Sequence, residues 1–280
     1  MSLSTILLNQ LENSMQKPKP KKLVGAIARS GNTPRSIVNS ELKILDRRIC
    51  DLGLDIWNTP RAKLVDRLYS ELEAQGFDHF RPIVYLGDEW FSPDRVPAIS
   101  VPFYLADPKL AALEKRLIGQ AEGEKPSLFM KLIRHECGHC FDHAYGISGG
   151  ISSSREWKSL FGDRRKKYAP DHYHADPDSR DYVQHLPDFY AQSHPDEDFA
   201  ETFAVWLDPK SRWRQKYRYW SLARKKLEYV DKLAARLGHL PPRKKAGTLV
   251  FQATKLRRTL RSHYEARLIA LASEFRGTLE

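Results

Sequence analysis

The sequence predicts an α+β fold in which a small mixed sheet packs with several helices. Three observations carry this prediction: apolar residues recur at helical intervals in several segments, two short segments are rich in β-branched and aromatic residues, and turn-forming residues separate these elements. The hydrophobic fraction of 41% and the charged fraction of 29% are those of an ordinary soluble globular protein. A chain of 280 residues is long enough to bury a substantial core.

The first ordered elements are predicted to be two helices, at residues 41–58 and 61–75. Both segments place leucine and isoleucine at intervals of three and four, so each has one apolar face. Gly76 is expected to end the second helix.

Two strands are predicted next, at residues 82–91 and 97–105. The first contains a run of apolar residues and a turn signal, and the second alternates apolar side chains. Pro102 cannot donate a hydrogen bond to a neighbouring strand, so we expect the second strand at an edge of the sheet, where it could pair with another extended peptide segment.

The second half of the chain is predicted to be helical, with a long loop in the middle. Ser127 is expected to cap a helix that runs to Gly146, and Ser193, with Asp196 three residues later, is expected to cap another that ends near Pro209. Further helices are predicted at 154–161, 211–237 and 249–275.

The net charge of +11 is unevenly distributed along the chain. Between Lys210 and the C terminus there are nineteen Lys or Arg and five Asp or Glu, so the rest of the chain is slightly acidic. We therefore divide the chain into a flexible basic tail at 1–22, a main folded domain at 23–209 and a basic helical extension at 210–280. Such a basic block is able to dock on nucleic acid or another polyanion.

The cysteine content and the apolar runs indicate the compartment. Cys50, Cys137 and Cys140 are too few for a disulfide framework and favour a reducing environment. Cys137 and Cys140 also form a C-x-x-C pair, which is either a redox or zinc motif or a pair of small buried helix residues. Apolar runs fall short of the roughly 18 residues of a membrane-spanning helix, and the N terminus does not resemble a secretory signal, so we expect a cytoplasmic protein.

The strongest chemical signal is His135-Glu136-Cys137-Gly138-His139, which fits the pattern H-E-x-x-H. Residues four apart lie one turn apart on one face of a helix, so both imidazoles can reach one zinc ion. Glu136 is rotated away from that face and is placed to act as a general base on a water. The alternative is a surface helix that happens to carry two histidines and an acid. Gly138 within a helix suggests the close approach of another segment or of the metal.

A catalytic zinc site needs a third protein ligand, and the segment Glu197-Asp198-Phe199-Ala200-Glu201 offers one. Glu197 and Glu201 lie four residues apart on one helical face. One of them can bind the metal while the other accepts a hydrogen bond from a ligand histidine. The alternative is an acidic helix N terminus stabilised by the helix dipole.

Together these two motifs resemble the gluzincin metallopeptidases, most closely the bacterial zinc-binding metallopeptidase family and more distantly the anthrax lethal factor protease domain. The resemblance covers roughly residues 80–210. It implies a zincin-like fold, a peptidase that acts on protein or peptide substrates, and a Zn²⁺ ion held by His135, His139 and Glu197. It also implies that Glu201 supports a ligand from outside the metal's shell and that Tyr190, seven residues before Glu197, stabilises the oxyanion.

The remaining histidines and the basic block leave alternatives open. His143 lies too far along the helix to share one ion with His135, and His172, His174, His185 and His194 are expected to be loop residues. His185 is a candidate assistant of Tyr190 at the oxyanion. The alternative function is a nucleic-acid-associated protein with a structural or degenerate zinc site, in which aromatics among the C-terminal charges stack on bases.

Overall fold

The computed structural model describes residues 43–146, 155–168 and 173–277, with side chains to residue 272. The predicted tail at 1–22 and His172 lie outside these ranges. The first half holds two helices and two strands: α1 (Ala62–Ala74), β1 (Ile83–Gly87), β2 (Ala98–Pro102) and α2 (Pro108–Ile118). The second half is helical: α3 (Pro126–Tyr145), α4 (Arg155–Phe161), α5 (Pro195–Leu207), α6 (Trp213–Lys216), α7 (Ser221–Leu237) and α8 (Leu260–Gly277).

The described residues therefore form a helix-rich α+β fold with a small sheet. Strands β1 and β2 pair in parallel, with Ile83 opposite Ala98 and Gly87 opposite Pro102. Ser100 also forms an antiparallel bridge with Phe91. The Ser100 amide donates a hydrogen bond to the Phe91 carbonyl at 2.8 Å. We predicted a free edge on the second strand, β2. At Ser100 this edge is occupied by Phe91.

The centre of the core is the packing of α3 against α5. The Phe141 ring of α3 stacks on Phe203 of α5 with ring centroids 5.1 Å apart, and on Phe199 at 6.5 Å. Gly138 faces Ala200 across this interface, so the predicted close approach of another segment at Gly138 is confirmed. A Cβ at residue 138 would lie 2.8 Å from the Ala200 Cα and 3.0 Å from its carbonyl oxygen.

Gly138→Ala is therefore expected to destabilise the protein although alanine is the better helix former. Alanine gains up to about 1 kcal/mol in helix propensity, but a clash with backbone atoms cannot be relieved by a side-chain rotation, and overpacking costs about 1–3 kcal/mol. Urea unfolding of the metal-free variant should show a lowered midpoint. A raised midpoint would mean that the two helices lie further apart than described.

Helix α3 is tied to α1 by buried charges beside the H-E-x-x-H segment. The Arg134 guanidinium bonds to both carboxylate oxygens of Glu71 at 2.7 Å and reaches Asp208 at 3.2 Å. These contacts fix the rotation of α3 about its own axis, which determines where the next residue, His135, points.

The C-terminal helices share the core of the preceding elements. Ala223, Leu227 and Val230 of α7 are fully buried with residues of α3 and α5 in one apolar cluster. The Lys226 ammonium is buried as well and bonds to Asp198 of α5 at 2.7 Å. The domain boundary at 209 stays a prediction, but no break in the core marks it among the described residues.

Several sequence predictions need correction. Residues 41–58 do not form one helix; after residue 45 they form two short 3₁₀ helices, Ile49–Leu52 and Ile56–Asn58. Here the backbone pairs with the C-terminal segment, since the Ile49 amide bonds to the Arg258 carbonyl and the Leu260 amide bonds to the Arg47 carbonyl. The predicted helix at 249–275 begins only at Leu260, and helix α2 was not predicted.

The predicted helix caps are also wrong by one or two residues. Lys125, not Ser127, occupies the N-cap of α3, and Pro126 follows at the first helical position. His194, not Ser193, caps α5, because its Nδ1 accepts a bond from the Asp196 amide at 3.2 Å. The 211–237 helix is interrupted between Lys216 and Ser221.

The aromatic residues among the C-terminal charges do not form an exposed stacking row. Trp213 and Tyr217 are buried, and Trp220 is partly buried against the core. Tyr219 is 74% exposed. The nucleic-acid alternative therefore gains no support from them. In the described ranges, no helix is long and apolar enough to cross a membrane.

Candidate metal centre

Helix α3 presents His135 and His139 on the face that meets the start of α5. His135 is fully buried, while the side chain of His139 is 18% exposed. The two Nε2 atoms lie 3.2 Å apart, so both imidazoles point at the same space. The spacing of four residues within a regular helix produces this convergence.

Glu197 enters this space from the first turn of α5. Its Oε2 lies 3.0 Å from the Nε2 of His135 and 3.2 Å from the Nε2 of His139. The three residues form a group that could hold a metal ion, with one ligand atom from each within 4.8 Å of the others. Ligands placed tetrahedrally at zinc's usual bond lengths of 2.0–2.1 Å stand about 3.3 Å apart, so this geometry fits a zinc ion.

Glu201 contacts the ring nitrogen of His135 that faces away from Glu197, and so fixes the orientation of the ring. One carboxylate oxygen of Glu201 lies 2.7 Å from Nδ1 of His135, and the other accepts a bond from the Leu186 amide at 2.8 Å. With Nδ1 bonded to a carboxylate, the proton belongs on Nδ1 and the lone pair of Nε2 faces the cluster. This is the orientation that a metal ligand requires.

The charges of the group stabilise one another in the absence of a metal. Burial opposes the charged form of His135, but the Glu197 and Glu201 carboxylates outweigh it and raise its pKa well above the usual value. Burial likewise opposes the charge of Glu197, yet the two histidines hold its pKa well below the usual range. A cation bound here replaces protons, so its affinity must fall as the pH is lowered.

Glu136 is buried beside the metal-binding group without being part of it. Its side chain is 3% exposed, and burial raises its pKa while the charges of His135 and His139 lower it. The sequence placed Glu136 off the face that carries the two histidines, and the group that could bind a metal does not include it. A carboxylate in this position can hold a proton next to the metal-binding group.

Tyr190 and His185 lie near the group, each with a partner of its own. The Tyr190 ring lies 5.7 Å from the His135 ring, and its hydroxyl is 2.8 Å from that of Tyr168. The Nε2 of His185 bonds to the Lys131 carbonyl at 3.0 Å, and the Glu201 carboxylate is its main charged neighbour. His185 thus lies next to the Glu201 carboxylate. Its predicted assistance to Tyr190 at the oxyanion stays a prediction.

The remaining candidates are placed away from the metal ligands. The Nδ1 of His143 lies 3.4 Å from Ser92 Oγ and from the Val96 carbonyl oxygen. Cys137 and Cys140 are fully buried free thiols, and burial raises the pKa of each. A protonated buried thiol is a poor nucleophile, so the interpretation as small helix residues is the better supported one.

A comparison with family models places this site in a known group. Residues 120–233 match the family described as "Putative zinc-binding metallo-peptidase". The match covers 114 of the 280 residues. The match includes α3 and α5, and it continues into α7 beyond the predicted boundary at 209. Zinc is therefore the cofactor that both the family and the His135, His139 and Glu197 group indicate.

Other comparisons add no relative. No curated protein and no solved structure matches the chain significantly. The predicted resemblance to the zinc-binding metallopeptidase family is thus confirmed over residues 120–233, whereas the more distant likeness to the lethal factor protease domain stays a prediction.

Sequence reasoning missed Tyr168 at this site. It lies on the loop after α4, and its ring packs edge-on against His194, the N-cap residue of α5, at 5.2 Å. Twenty-nine residues separate it from Glu197. It belongs to no motif or periodic segment, and only its placement beside Glu197 and Tyr190 reveals it.

Proposed function

We propose that the chain is a zinc-dependent endopeptidase with a zincin-like catalytic domain, in which Glu136 is the general base. The observation that carries the proposal is the convergence of two imidazole nitrogens and one carboxylate oxygen, with a buried glutamate next to the first histidine. Three protein ligands are typical of a catalytic zinc site, whereas structural sites use four and are often rich in cysteine.

Each residue of the site has a separate role in hydrolysis. His135, His139 and Glu197 hold the ion, which when bound supplies a Lewis acid that activates a water and polarises the substrate carbonyl. Glu136 accepts the proton of the attacking water and returns it to the leaving nitrogen, so that the peptide bond breaks with one water consumed. Glu201 keeps the His135 ring in its binding orientation throughout.

Exclusion of bulk water strengthens each of these interactions. His135, Glu136, Glu197 and Glu201 are all buried. Charges in such an environment interact more strongly than they would in water, and the carboxylates do not need to reorient during the reaction. The partly exposed His139 marks the side from which a substrate can enter.

Cleavage of a peptide library with and without a zinc chelator tests this function. The zinc-loaded protein should cut internal bonds of a subset of peptides, the chelator should abolish cutting, and added zinc should restore it. Cleavage that persists in a metal-free sample, or its absence from a sample with one zinc per chain, would contradict the proposal.

A further inference from the structure

Tyr168 is a partly exposed residue beside the metal-binding group. Its hydroxyl lies 2.8 Å from that of Tyr190, and burial together with the nearby Glu197 carboxylate raises the pKa of that hydroxyl. The packing of its ring on His194 ties its position to the start of α5, from which Glu197 projects. Its hydroxyl is therefore close to the place where an ion held by Glu197 and a substrate carbonyl would meet.

Tyr190 lies behind Tyr168 and is 2% exposed. Its carbonyl accepts bonds from the amide and the hydroxyl of Ser193, at 3.0 and 2.7 Å. The Tyr190 side chain is thus less exposed than that of Tyr168, and its hydroxyl is paired with the Tyr168 hydroxyl. The described contacts thus suit Tyr190 to holding another group rather than to touching substrate.

The backbone before Tyr190 is strained. Asp188 and Phe189 are consecutive non-glycine residues with φ of 57° and 55°, in the left-handed region. Such conformations cost about 1–3 kcal/mol each and persist only where the surroundings impose them. Here the Tyr173 hydroxyl bonds to the Asp188 carbonyl at 2.6 Å. The next residue after this strained pair is Tyr190, whose hydroxyl lies 2.8 Å from that of Tyr168.

We propose that the Tyr168 hydroxyl is the donor that stabilises the developing oxyanion of the substrate, and that Tyr190 is a positioning residue that acts through it. This proposal rests on the proposed function. In this arrangement Tyr190 donates its proton to the oxygen of Tyr168, so the Tyr168 proton points away from Tyr190 and can be donated to a substrate oxygen in place of the nearby Glu197 carboxylate. Hydrogen bonds in such a chain polarise one another, so the second strengthens the first.

Phenylalanine substitutions at the two positions separate their roles. With a peptide that the wild-type protein cleaves, Tyr168→Phe should lower kcat by about 10²-fold or more, as the loss of one oxyanion donor does elsewhere. KM and the zinc dissociation constant should stay near the wild-type values. Tyr190→Phe should lower kcat less, and the double variant should be no slower than Tyr168→Phe, because Tyr190 acts only through Tyr168.

Tyr69→Phe is the matched control. It also removes a buried tyrosine hydroxyl, which donates to the Pro82 carbonyl at 2.9 Å, but it lies on α1 away from the metal ligands. It should lower stability slightly and leave kcat unchanged. Thermal unfolding of each variant shows whether it has folded.

Three outcomes would overturn the proposal. If Tyr168→Phe keeps full kcat in a protein whose wild type is an active zinc peptidase, Tyr168 does not touch the oxyanion. If it weakens zinc binding and excess zinc restores kcat, Tyr168 merely holds Glu197. If only Tyr190→Phe slows the reaction, the roles are reversed. Absence of chelator-sensitive cleavage in the wild type would instead contradict the proposed function itself.

Discussion

Replacing Glu136 by glutamine is expected to lower kcat by about 10²–10⁴-fold, the usual contribution of a general base, while zinc stays bound. Glutamine has nearly the same shape but cannot accept a proton from the attacking water. Zinc is retained because the ligand atoms belong to His135, His139 and Glu197. Zinc content by elemental analysis and single-turnover cleavage of a peptide substrate measure the two effects separately.

Glu122→Gln is a suitable control for this experiment. Glu122 is another buried glutamate, and burial together with the charge of Glu136 raises its pKa to about 8. It is therefore largely protonated at neutral pH, where an amide is a close substitute, and kcat should change little. Full activity of Glu136→Gln would remove Glu136 from the chemistry. Loss of zinc from that variant would show that Glu136 is a ligand instead.

Replacing Lys226 by methionine is expected to cost up to about 3–5 kcal/mol of unfolding free energy above neutral pH, because it leaves Asp198 buried without its partner. Burial raises the pKa of Asp198 to about 7 even beside Lys226, so at lower pH the variant can protonate Asp198 and lose less stability. The Lys226 ammonium bonds to the Asp198 carboxylate and the Asp181 carbonyl, both at 2.7 Å, and lies 4.0 Å from the centre of the Tyr182 ring. Chemical unfolding in the presence of a chelator measures the effect without a contribution from bound zinc.

The double variant Lys226→Met/Asp198→Leu separates the ion pair from the packing. Replacing both charges by apolar groups of similar size is often nearly neutral, so most of the lost stability should return. Asp198 follows Glu197 directly on α5, so the single variant should also weaken zinc binding. A single variant as stable as the wild type would mean that this ion pair is not needed to hold α7 on α5.

The helices that carry the metal ligands were predictable because their signals are local. The spacing of His135 and His139, and the apolar residues around Glu197, match a helical repeat within one segment. Helix α1 was predicted for the same reason. The joining of two segments 58 residues apart was inferred from the chemistry of zinc rather than from any pattern that links them.

The failures have a common cause in contacts between distant segments. Residues 41–58 have a helical pattern, but bonds to the backbone near Arg258 and Leu260 favour short 3₁₀ turns instead. The same contacts, with the Tyr85 hydroxyl donating to the Val250 carbonyl, keep the segment before Leu260 out of an α-helix, and only the short 3₁₀ helix Ala253–Lys255 forms there. Tyr168 lies on a loop, where residue spacing carries no information about what the side chain meets.

X-ray absorption of the protein loaded with one zinc per chain tests the metal site most directly. The site of His135, His139 and Glu197 predicts a first shell of nitrogen and oxygen at about 2.0–2.1 Å, with the scattering pattern of two imidazoles and without sulfur. Alanine at any of the three positions should abolish this spectrum. A sulfur shell at about 2.3 Å, which only a cysteine site could supply, would contradict the account.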